Sequence, residues 1–261
     1  PRLTEQSRPT KTTAHGLAHR WHGNLVTMAW WDDLWLNEAF ASWMESKITM
    51  ALYPEQNTQA QLVQEGAFGA DASPTTRAVK KEVRSQTDVM DGLGLNYSKG
   101  ESVLQMIEAL VGEAPFQKGV QSYMKKHAWG NAQADDLWEV LSTVADFDVP
   151  ALMKTYLEQP AYPLVSFAKN GDVSQSRYHL AGADVTPQTW IVPLAITYKK
   201  NGKITHTRVF LDKATTNLPE LAQAQWIYPH DHAMGYMRWQ IPASQLHALL
   251  KDTQALNARE K

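Results

Sequence analysis

The hydrophobic pattern changes its period once along the chain, near residue 160, and this change constrains the fold more than any other feature. From Thr12 to about residue 158, apolar residues recur at i, i+3 and i+4, the spacing of one helix face. After the segment QPAYP at residues 159–163, apolar and polar residues alternate, as they do in a half-buried strand. The sequence therefore predicts an α+β, multidomain fold in which helices come first and strands follow.

Local signals predict where several helices begin in the first part of the chain. ADDLWEVLSTVA and VPALMKTYLE each indicate a short helix, and Asp135 and Asp136 suit a helix N-terminus, where the backbone dipole favours negative charge. In SKGESVLQMIEALVG, Ser98 and Glu101 have the spacing of a capping box. We therefore expect a helix that begins near Ser98 and buries the apolar residues that follow it.

Turn-forming residue pairs separate the predicted strands in the second part of the chain. Two Asn-Gly pairs, beginning at Asn170 and Asn201, each lie between two alternating runs, which is a strong hairpin pattern. QWIYP and GYMRWQIP add shorter strands. The sequence therefore predicts an antiparallel β-sandwich over residues 161–242. Residues 243–261 then turn helical and polar.

Composition excludes several classes of function. Lys plus Arg number 25 and Asp plus Glu 27, so the net charge of −2 gives no electrostatic reason to bind nucleic acid or an anionic membrane. No apolar run approaches the roughly 18 residues that a membrane span requires. The chain has no cysteine, so any metal must be held by imidazole and carboxylate groups. Zero cysteines fit a bacterial cytoplasm and a periplasm alike.

The segment HGLAHRWHGN, residues 15–24, carries candidate metal ligands. His15 and His19 are four residues apart, so on a helix they aim two imidazoles at one ion. Many helices carry such a pair by chance, and a catalytic zinc needs a third protein ligand. Glu38, nineteen residues after His19, supplies a carboxylate in the aromatic stretch WWDDLWLNEAFASW, where an acid is costly unless it meets a cation.

These residues lie in segments that resemble a known family. HGLAHRWHGNLVTMAWWDDLWLNEAFASWME resembles the zinc-site segment of the aminopeptidase N family of zinc metallopeptidases, which includes leukotriene hydrolase. That family has an HExxH helix, then GNLVT, a tryptophan pair, and LWLNE ending in a glutamate ligand. LNYSKGESVLQMIEALVG resembles its segment around a catalytic tyrosine, with YSKG as the marker. YLEQPAYPLVSF resembles the entry to its β-sandwich domain, so the resemblance covers nearly the whole chain.

The resemblance implies a specific site. One Zn²⁺ ion would be held by His15, His19 and Glu38, and Tyr97 would stabilise the oxyanion of the reaction. From the residues alone, Tyr97 is better explained as a tyrosine at the edge of the core, at the start of a helix. The implied activity is the removal of N-terminal residues from peptides with a free N-terminus.

The resemblance also implies a domain organisation. Residues 1–160 would be the C-terminal part of a thermolysin-like catalytic domain, and residues 161–242 its β-sandwich. Residues 243–261 would begin a C-terminal helical domain. The missing N-terminal half of the catalytic domain would be a partner of this segment, and an apolar face would be exposed without it.

Three departures from the family pattern bear on activity. Gly16 replaces the glutamate that would take a proton from the zinc-bound water. His22 stands where the family usually has an apolar or aromatic residue. Nothing matches the GxMEN segment that binds the substrate amine. We therefore expect very low activity from this form, and the alternative is an inactive zinc-binding relative or mutant that serves as a binding or scaffold protein.

Two further histidine patterns leave alternatives open. On a continuous helix, His22 would share the face of His15 and His19, where it would act as a substitute base or occupy the water position and close the site. The alternative, which we favour, is that it packs or points to solvent one turn away. The segment PHDH, with His230 and His232 around Asp231, has metal-binding residue types, but a loop of this kind is more often a solvated surface.

Overall fold

The computed structural model describes residues 3–54, 63–230 and 233–256 of the chain. These residues form two compact units. The first contains the described residues up to Asp71 together with Thr76–Pro160. The second contains Ala72–Thr75 and the described residues from Ala161 onward. Helices make up most of the first unit, and strands are the predominant regular elements of the second, so the chain has an α+β fold.

The first unit is built from helices and two short strands. The helices are α1 (Leu3–Ala18), α2 (Trp35–Leu52), α3 (Val63–Asp71), α4 (Gln86–Met90), α5 (Leu93–Val111), α6 (Glu113–His127), α7 (Ala134–Ser142) and α8 (Val149–Leu157). Strands β1 (Val26–Met28) and β2 (Gly130–Ala132) pair in parallel. Helix α7 begins with a capping box between Gln133 and Asp136, and Asp148 caps α8 by accepting a hydrogen bond from the amide of Ala151. The predicted helices at these two places are confirmed.

Helices α2 and α5 approach each other closely in the core of the first unit. A Cβ atom at Gly100 of α5 would lie only 2.6 Å from the Cβ of Ala39 of α2, which is closer than real Cβ atoms come. Glycine at the end of YSKG therefore permits the contact. Because Glu38 precedes Ala39 and Tyr97 lies three residues before Gly100, this contact brings Glu38 and Tyr97 to one place.

Helix α5 begins earlier than predicted. Its first residue is Leu93, and Gly92 before it has a φ of 77°, a left-handed conformation that favours glycine. Ser98 and Glu101 therefore lie inside the helix, where the Ser98 hydroxyl donates to the carbonyl of Gly94. The predicted capping box at Ser98 and Glu101 is wrong, because a Ser-x-x-Glu spacing also occurs within a helix.

The second unit contains two sheets. Its strands are β3 (Pro163–Phe167), β4 (Asp172–Arg177), β5 (Val192–Lys200), β6 (Lys203–Leu211), β7 (Thr215–Asn217), β8 (Trp226–Tyr228) and β9 (Arg238–Gln240). One sheet has the order β7-β4-β3-β9, and the other has the order β6-β5-β8. Both predicted hairpins are confirmed, β3–β4 around Gly171 and β5–β6 around Asn201 and Gly202, which have positive φ angles.

One strand pairing contradicts the expected antiparallel arrangement. Strand β9 pairs with β3 in parallel, with Val165 opposite Trp239, so this sheet is mixed. Only a tight turn forces consecutive strands to run antiparallel. The chain between β4 and β9 passes through the other sheet before it returns, so no hairpin constrains the direction of β9.

A final helix closes the second unit. Helix α9 (Ala243–Leu250) contributes Leu249 to a buried cluster with Trp226 and Tyr228 of β8 and with Leu256. Leu249 of α9 is therefore covered by β8. Within the described residues, the helices are too short or too polar to traverse a lipid bilayer.

Candidate metal centre

The two histidines of the candidate site lie at the end of α1. Helix α1 ends at Ala18, and the amide of His19 still donates to the carbonyl of His15, at 3.3 Å. His15 and His19 are therefore one helical turn apart and their side chains share a face. Glu38 lies in the first turn of α2, which packs against α1. The three residues predicted as ligands are thus brought together by two helices.

Three acceptor atoms converge at this point. The Nε2 atoms of His15 and His19 are 3.1 Å apart, and each lies 3.4 Å from Oε2 of Glu38. Three ligand atoms at zinc-bond lengths of about 2.0–2.1 Å from one tetrahedral ion are separated by about 3.3 Å. The observed triangle has nearly this size, so one ion of the size of zinc fits among the three residues.

The contacts of Nδ1 in the two rings determine whether Nε2 carries a proton or presents a lone pair to the candidate metal site. Nδ1 of His19 lies 3.0 Å from the backbone oxygen of His22, and Nδ1 of His15 lies 3.3 Å from Oε2 of Glu45. Carbonyl and carboxylate oxygens only accept, so in each neutral ring Nδ1 carries the proton and Nε2 presents a lone pair. Two lone pairs thus face the Glu38 carboxylate.

The buried oxygen of Glu38 gives an independent test of the fit to a metal. Glu38 Oε2 is buried and has no hydrogen-bond partner among the described residues. A buried carboxylate oxygen without a partner is costly. Two nitrogen lone pairs that converge on this unpartnered carboxylate oxygen favour a cation between them, and nitrogen and oxygen ligands of this kind suit zinc. The residues present therefore fit a bound zinc ion.

Tyr97 joins the site from α5. Its ring centroid lies 5.8 Å from that of His15, and its side chain hydrogen-bonds the Glu38 carboxylate. Burial raises the pKa of Tyr97 to about 12, and the charge of Glu38 adds to the rise. The phenol is therefore protonated at neutral pH and available as a hydrogen-bond donor next to the candidate ligands.

Comparison with known proteins assigns the family. The model of the peptidase family M1 domain matches residues 2–156, more than half of the chain. The chain belongs to peptidase family M1. This is the aminopeptidase N family of metallopeptidases that the motifs indicated.

Relatives from archaea and bacteria support the assignment to family M1. The leucyl aminopeptidase of Saccharolobus solfataricus is 39% identical over 80% of this chain and 27% of its own length. The tricorn protease-interacting factor F2 of Thermoplasma volcanium is 34% identical over 77% of this chain and 27% of its own. The aminopeptidase N of Lactobacillus delbrueckii subsp. lactis is 37% identical over 71% and 23%. The chain thus spans about a quarter of the length of these curated relatives.

Gly16 of this M1 chain lies beside His15 on α1 and is exposed. Apart from its chain neighbours and the backbone of its own helix, no heavy atom of the described residues lies within 4 Å of the position that its Cβ would take. Its φ angle is not in the left-handed region, so neither space nor backbone conformation requires glycine here. A Cβ atom would be accommodated, and the side-chain position next to His15 holds no proton acceptor.

His22 does not share the face of the candidate ligands. Because α1 ends at Ala18, the assumption of a continuous helix through residue 22 is wrong, and His22 forms an isolated bridge with Val26. Its buried ring stacks on Phe40. Burial lowers the pKa of His22 to about 3, and nearby His19 contributes. The ring is therefore neutral and packed in the core, which agrees with the packing role expected for His22.

Sequence reasoning missed Glu45, which contacts His15. Glu45 lies seven residues after Glu38, a spacing of two helical turns that places both carboxylates on the same side of α2. This spacing was the available signal. The PHDH segment falls partly outside the described residues, since Asp231 and His232 are not among them. His230 is buried, with Nε2 2.8 Å from the carbonyl oxygen of Gly235.

Proposed function

We propose that this chain is part of a zinc-dependent aminopeptidase that removes N-terminal residues from peptides, and that it supplies the metal ligands and one catalytic side chain. The observation that carries the proposal is the convergence of His15 Nε2, His19 Nε2 and Glu38 Oε2, which lie 3.1 to 3.4 Å from one another. The M1 family assignment and the names of the aminopeptidase relatives support it.

One zinc ion would be held by His15, His19 and Glu38. Bound zinc acts as a Lewis acid and lowers the pKa of a coordinated water, which makes hydrolysis accessible near neutral pH. The chain's own contribution is to keep the two Nε2 lone pairs and the Glu38 carboxylate directed at one point. Glu45 and the His22 carbonyl hold the outer nitrogens of the rings.

Tyr97 would act on the substrate carbonyl. Its phenol stays protonated at neutral pH, because burial and the Glu38 charge raise its pKa to about 12. A donor placed where negative charge develops on the carbonyl oxygen typically contributes ~100-fold or more in rate. Tyr97 is therefore assigned as the donor to that oxygen.

Gly16 leaves the proposed reaction without its usual base. Glycine has no side chain that accepts a proton or orients a water molecule, and a positioned base is worth about 10²- to 10⁴-fold in rate. That range corresponds to about 3 to 5.5 kcal/mol of barrier. The form with Gly16 is therefore proposed to hydrolyse peptides very slowly while it retains zinc.

The lack of a base at Gly16 also favours a second candidate function. A zinc-binding relative that lacks the base would keep the fold and the metal, and would serve as a binding or scaffold protein. A GxMEN segment elsewhere in the complete protein would favour the enzyme, since that segment binds the free amine of the substrate. Its replacement would favour the binding protein.

The domain organisation is also a proposal. Residues 1–160 are assigned to the C-terminal part of a thermolysin-like catalytic domain, and residues 161–242 to a β-sandwich. In the second unit, the side chain of Gln175 on β4 donates to the carbonyl of Leu211 on β6, which supports two facing sheets. Residues 243–261 would begin a helical domain.

The rest of the catalytic domain is the proposed partner of the first unit. Trp21, Trp30, Trp31 and Trp129 belong to this unit and are exposed. Large apolar side chains at a surface indicate an interaction site when they form a patch. The N-terminal half of the catalytic domain would cover them.

The decisive experiment is metal analysis of the complete protein combined with an aminoacyl-anilide assay. The enzyme proposal predicts about one zinc per chain and a slow but zinc-dependent release of the anilide product. Zinc without any such release supports the binding protein instead. A folded, zinc-saturated sample that retains no zinc above background after desalting contradicts both.

A further inference from the structure

The ring of His15 lies between two carboxylates of the same helix. Nε2 is 3.4 Å from Oε2 of Glu38, and Nδ1 is 3.3 Å from Oε2 of Glu45. Glu38 and Glu45 are seven residues apart on α2, so their side chains point the same way two turns from each other. Helix α1 places His15 across this gap, and each ring nitrogen meets one of the two acids.

Glu45 contacts the nitrogen that faces away from the candidate metal site. The converging atoms are the Nε2 atoms and Glu38 Oε2, whereas Glu45 approaches Nδ1 on the opposite side of the ring. Glu45 is therefore not a fourth ligand of the same ion. Its contact acts on His15 alone.

The two histidines are supported differently. Nδ1 of His19 meets the backbone oxygen of His22, a neutral acceptor that no side-chain substitution removes. Nδ1 of His15 meets a carboxylate, which is a stronger acceptor and can be replaced. Glu45 is thus the side chain through which the orientation of one ligand can be changed without altering any ligand.

We propose that Glu45 is a positioning residue for His15: it accepts the Nδ1 proton and keeps the Nε2 lone pair directed at the metal. Outer partners of metal-bound histidines typically change metal affinity by about 10- to 100-fold. The inference rests on the proposed zinc site, and it adds to that site a residue beyond the three ligands.

The surroundings of Glu45 hold its carboxylate in place. It is half-buried on α2, and Lys11, one turn before His15 on α1, attracts it electrostatically. Glu101 on α5 is also near enough to interact with it, and accepts a hydrogen bond from Ser46 at 2.5 Å. A simpler role, an ion pair that only joins α1 to α2, must therefore be distinguished from positioning.

The test compares Glu45→Leu and Glu45→Gln with Glu108→Gln in the complete protein. Leucine cannot accept a hydrogen bond, whereas glutamine keeps an acceptor oxygen without the charge. Glu108→Gln is the matched control, because Glu108 accepts from Trp43 and Lys47 and makes no contact with His15 among the described residues. Zinc dissociation constants are measured by competition with a chelator.

We expect Glu45→Leu to weaken zinc binding about 10- to 100-fold and Glu45→Gln to weaken it less. Glu108→Gln should leave the dissociation constant within about twofold of the parent, since outer-sphere effects require contact with a ligand. Equal dissociation constants for the parent and Glu45→Leu, or an equal loss in the control, would overturn the proposal. If Glu45→Leu does not fold, Glu45→Gln and the control decide. Weaker zinc binding in Glu45→Gln than in Glu108→Gln supports the proposal, and equal dissociation constants overturn it.

A second readout does not depend on zinc. Nitrogen-15 NMR of the zinc-free protein at alkaline pH, where imidazole carries one proton, reports which nitrogen of His15 is protonated. The Nδ1-protonated fraction should fall in Glu45→Leu and stay unchanged in Glu108→Gln. An unchanged fraction in Glu45→Leu overturns the positioning role even if the parent binds no zinc, which by itself would contradict only the proposed function.

Discussion

The ring of His22 lies flat against that of Phe40, with centroids 4.1 Å apart and planes 5° from parallel. This stacking keeps the His22 side chain in the core, although its backbone oxygen faces His19 and accepts from the Nδ1 of that residue. The residue therefore serves the candidate site through its main chain. Its imidazole is part of the packing.

His22→Phe is expected to leave zinc content and peptidase activity unchanged. Phenylalanine preserves an aromatic ring against Phe40 and does not alter the backbone carbonyl that His19 contacts. Replacement of one buried ring by another of similar size usually costs less than ~1.5 kcal/mol. Zinc analysis and an anilide assay on both forms check this. Loss of zinc or of activity in a folded variant would assign a chemical role to the imidazole.

Gly16→Glu is expected to raise turnover by at least two orders of magnitude, because it introduces a carboxylate beside His15. Position 16 is exposed, and a Cβ atom there meets no neighbouring side chain among the described residues, so the substitution starts without a clash. The measurement is the turnover rate on an alanine or leucine anilide at equal zinc occupancy. Gly16→Gln is the control. It also removes glycine, which is less favourable than alanine in a helix by about 1 kcal/mol, but it introduces no base. Equal rates for the glutamate and glycine forms would mean that another residue is the base.

Tyr97→Phe, made in the Gly16→Glu form, is expected to lower turnover by ~100-fold or more without loss of zinc. Phenylalanine removes the hydroxyl that hydrogen-bonds Glu38 and keeps the ring near His15. Turnover and zinc stoichiometry are measured together. If the turnover rate of the variant equals that of its parent, Tyr97 has no catalytic role and is a tyrosine at the edge of the core.

Glu101→Gln is expected to change how stability depends on pH. Burial raises the pKa of Glu101 to about 7, and the charge of Glu45 adds to the rise. Because this value lies above the ordinary 4.5, the stability associated with the protonated form is fully present below pH 4.5 and is lost as pH rises through 7.

Glutamine stays neutral and keeps an oxygen that can accept from Ser46 and Gln105. The variant should therefore be more stable than its parent near pH 8, by at most ~3 kcal/mol, and similar near pH 4. Urea unfolding of the complete protein at both pH values measures the difference. Glu139→Gln, at an exposed position of α7 where the glutamate pairs with Lys126, is the control and should show no such dependence. Parallel pH profiles for parent and variant would contradict the buried-acid explanation.

Residues 1–261 prepared alone are expected to self-associate. Trp129 is 87% exposed and Trp30 61% exposed, and large apolar side chains at this exposure favour association in water. Size-exclusion chromatography with light scattering measures the mass against concentration. Replacement of Trp30 and Trp129 by serine should reduce the association. A monomeric preparation that melts cooperatively would count against an uncovered apolar surface.

Much of the fold could be predicted because its signals are local. The Asn-Gly turns require backbone conformations that few other pairs adopt, so the two hairpins follow from neighbouring residues. The start of α7 follows from an acidic first turn in the same way. The start of α5 could not be predicted, since Ser98 and Glu101 offered a cap signal while Gly92 set the true boundary. The direction of β9 depends on pairing with β3, which lies more than 70 residues away.

The sequence by itself determined the candidates: two histidines one helical turn apart, a carboxylate nineteen residues later, and a glycine where a base would stand. Only the tertiary structure decided what they can do together. The close approach of α2 to α5 at Ala39 brings Tyr97 to Glu38, and the packing of α1 on α2 places His15 between Glu38 and Glu45. The physical reason is that helix periodicity orients side chains within one element, whereas distances between elements depend on how their surfaces pack.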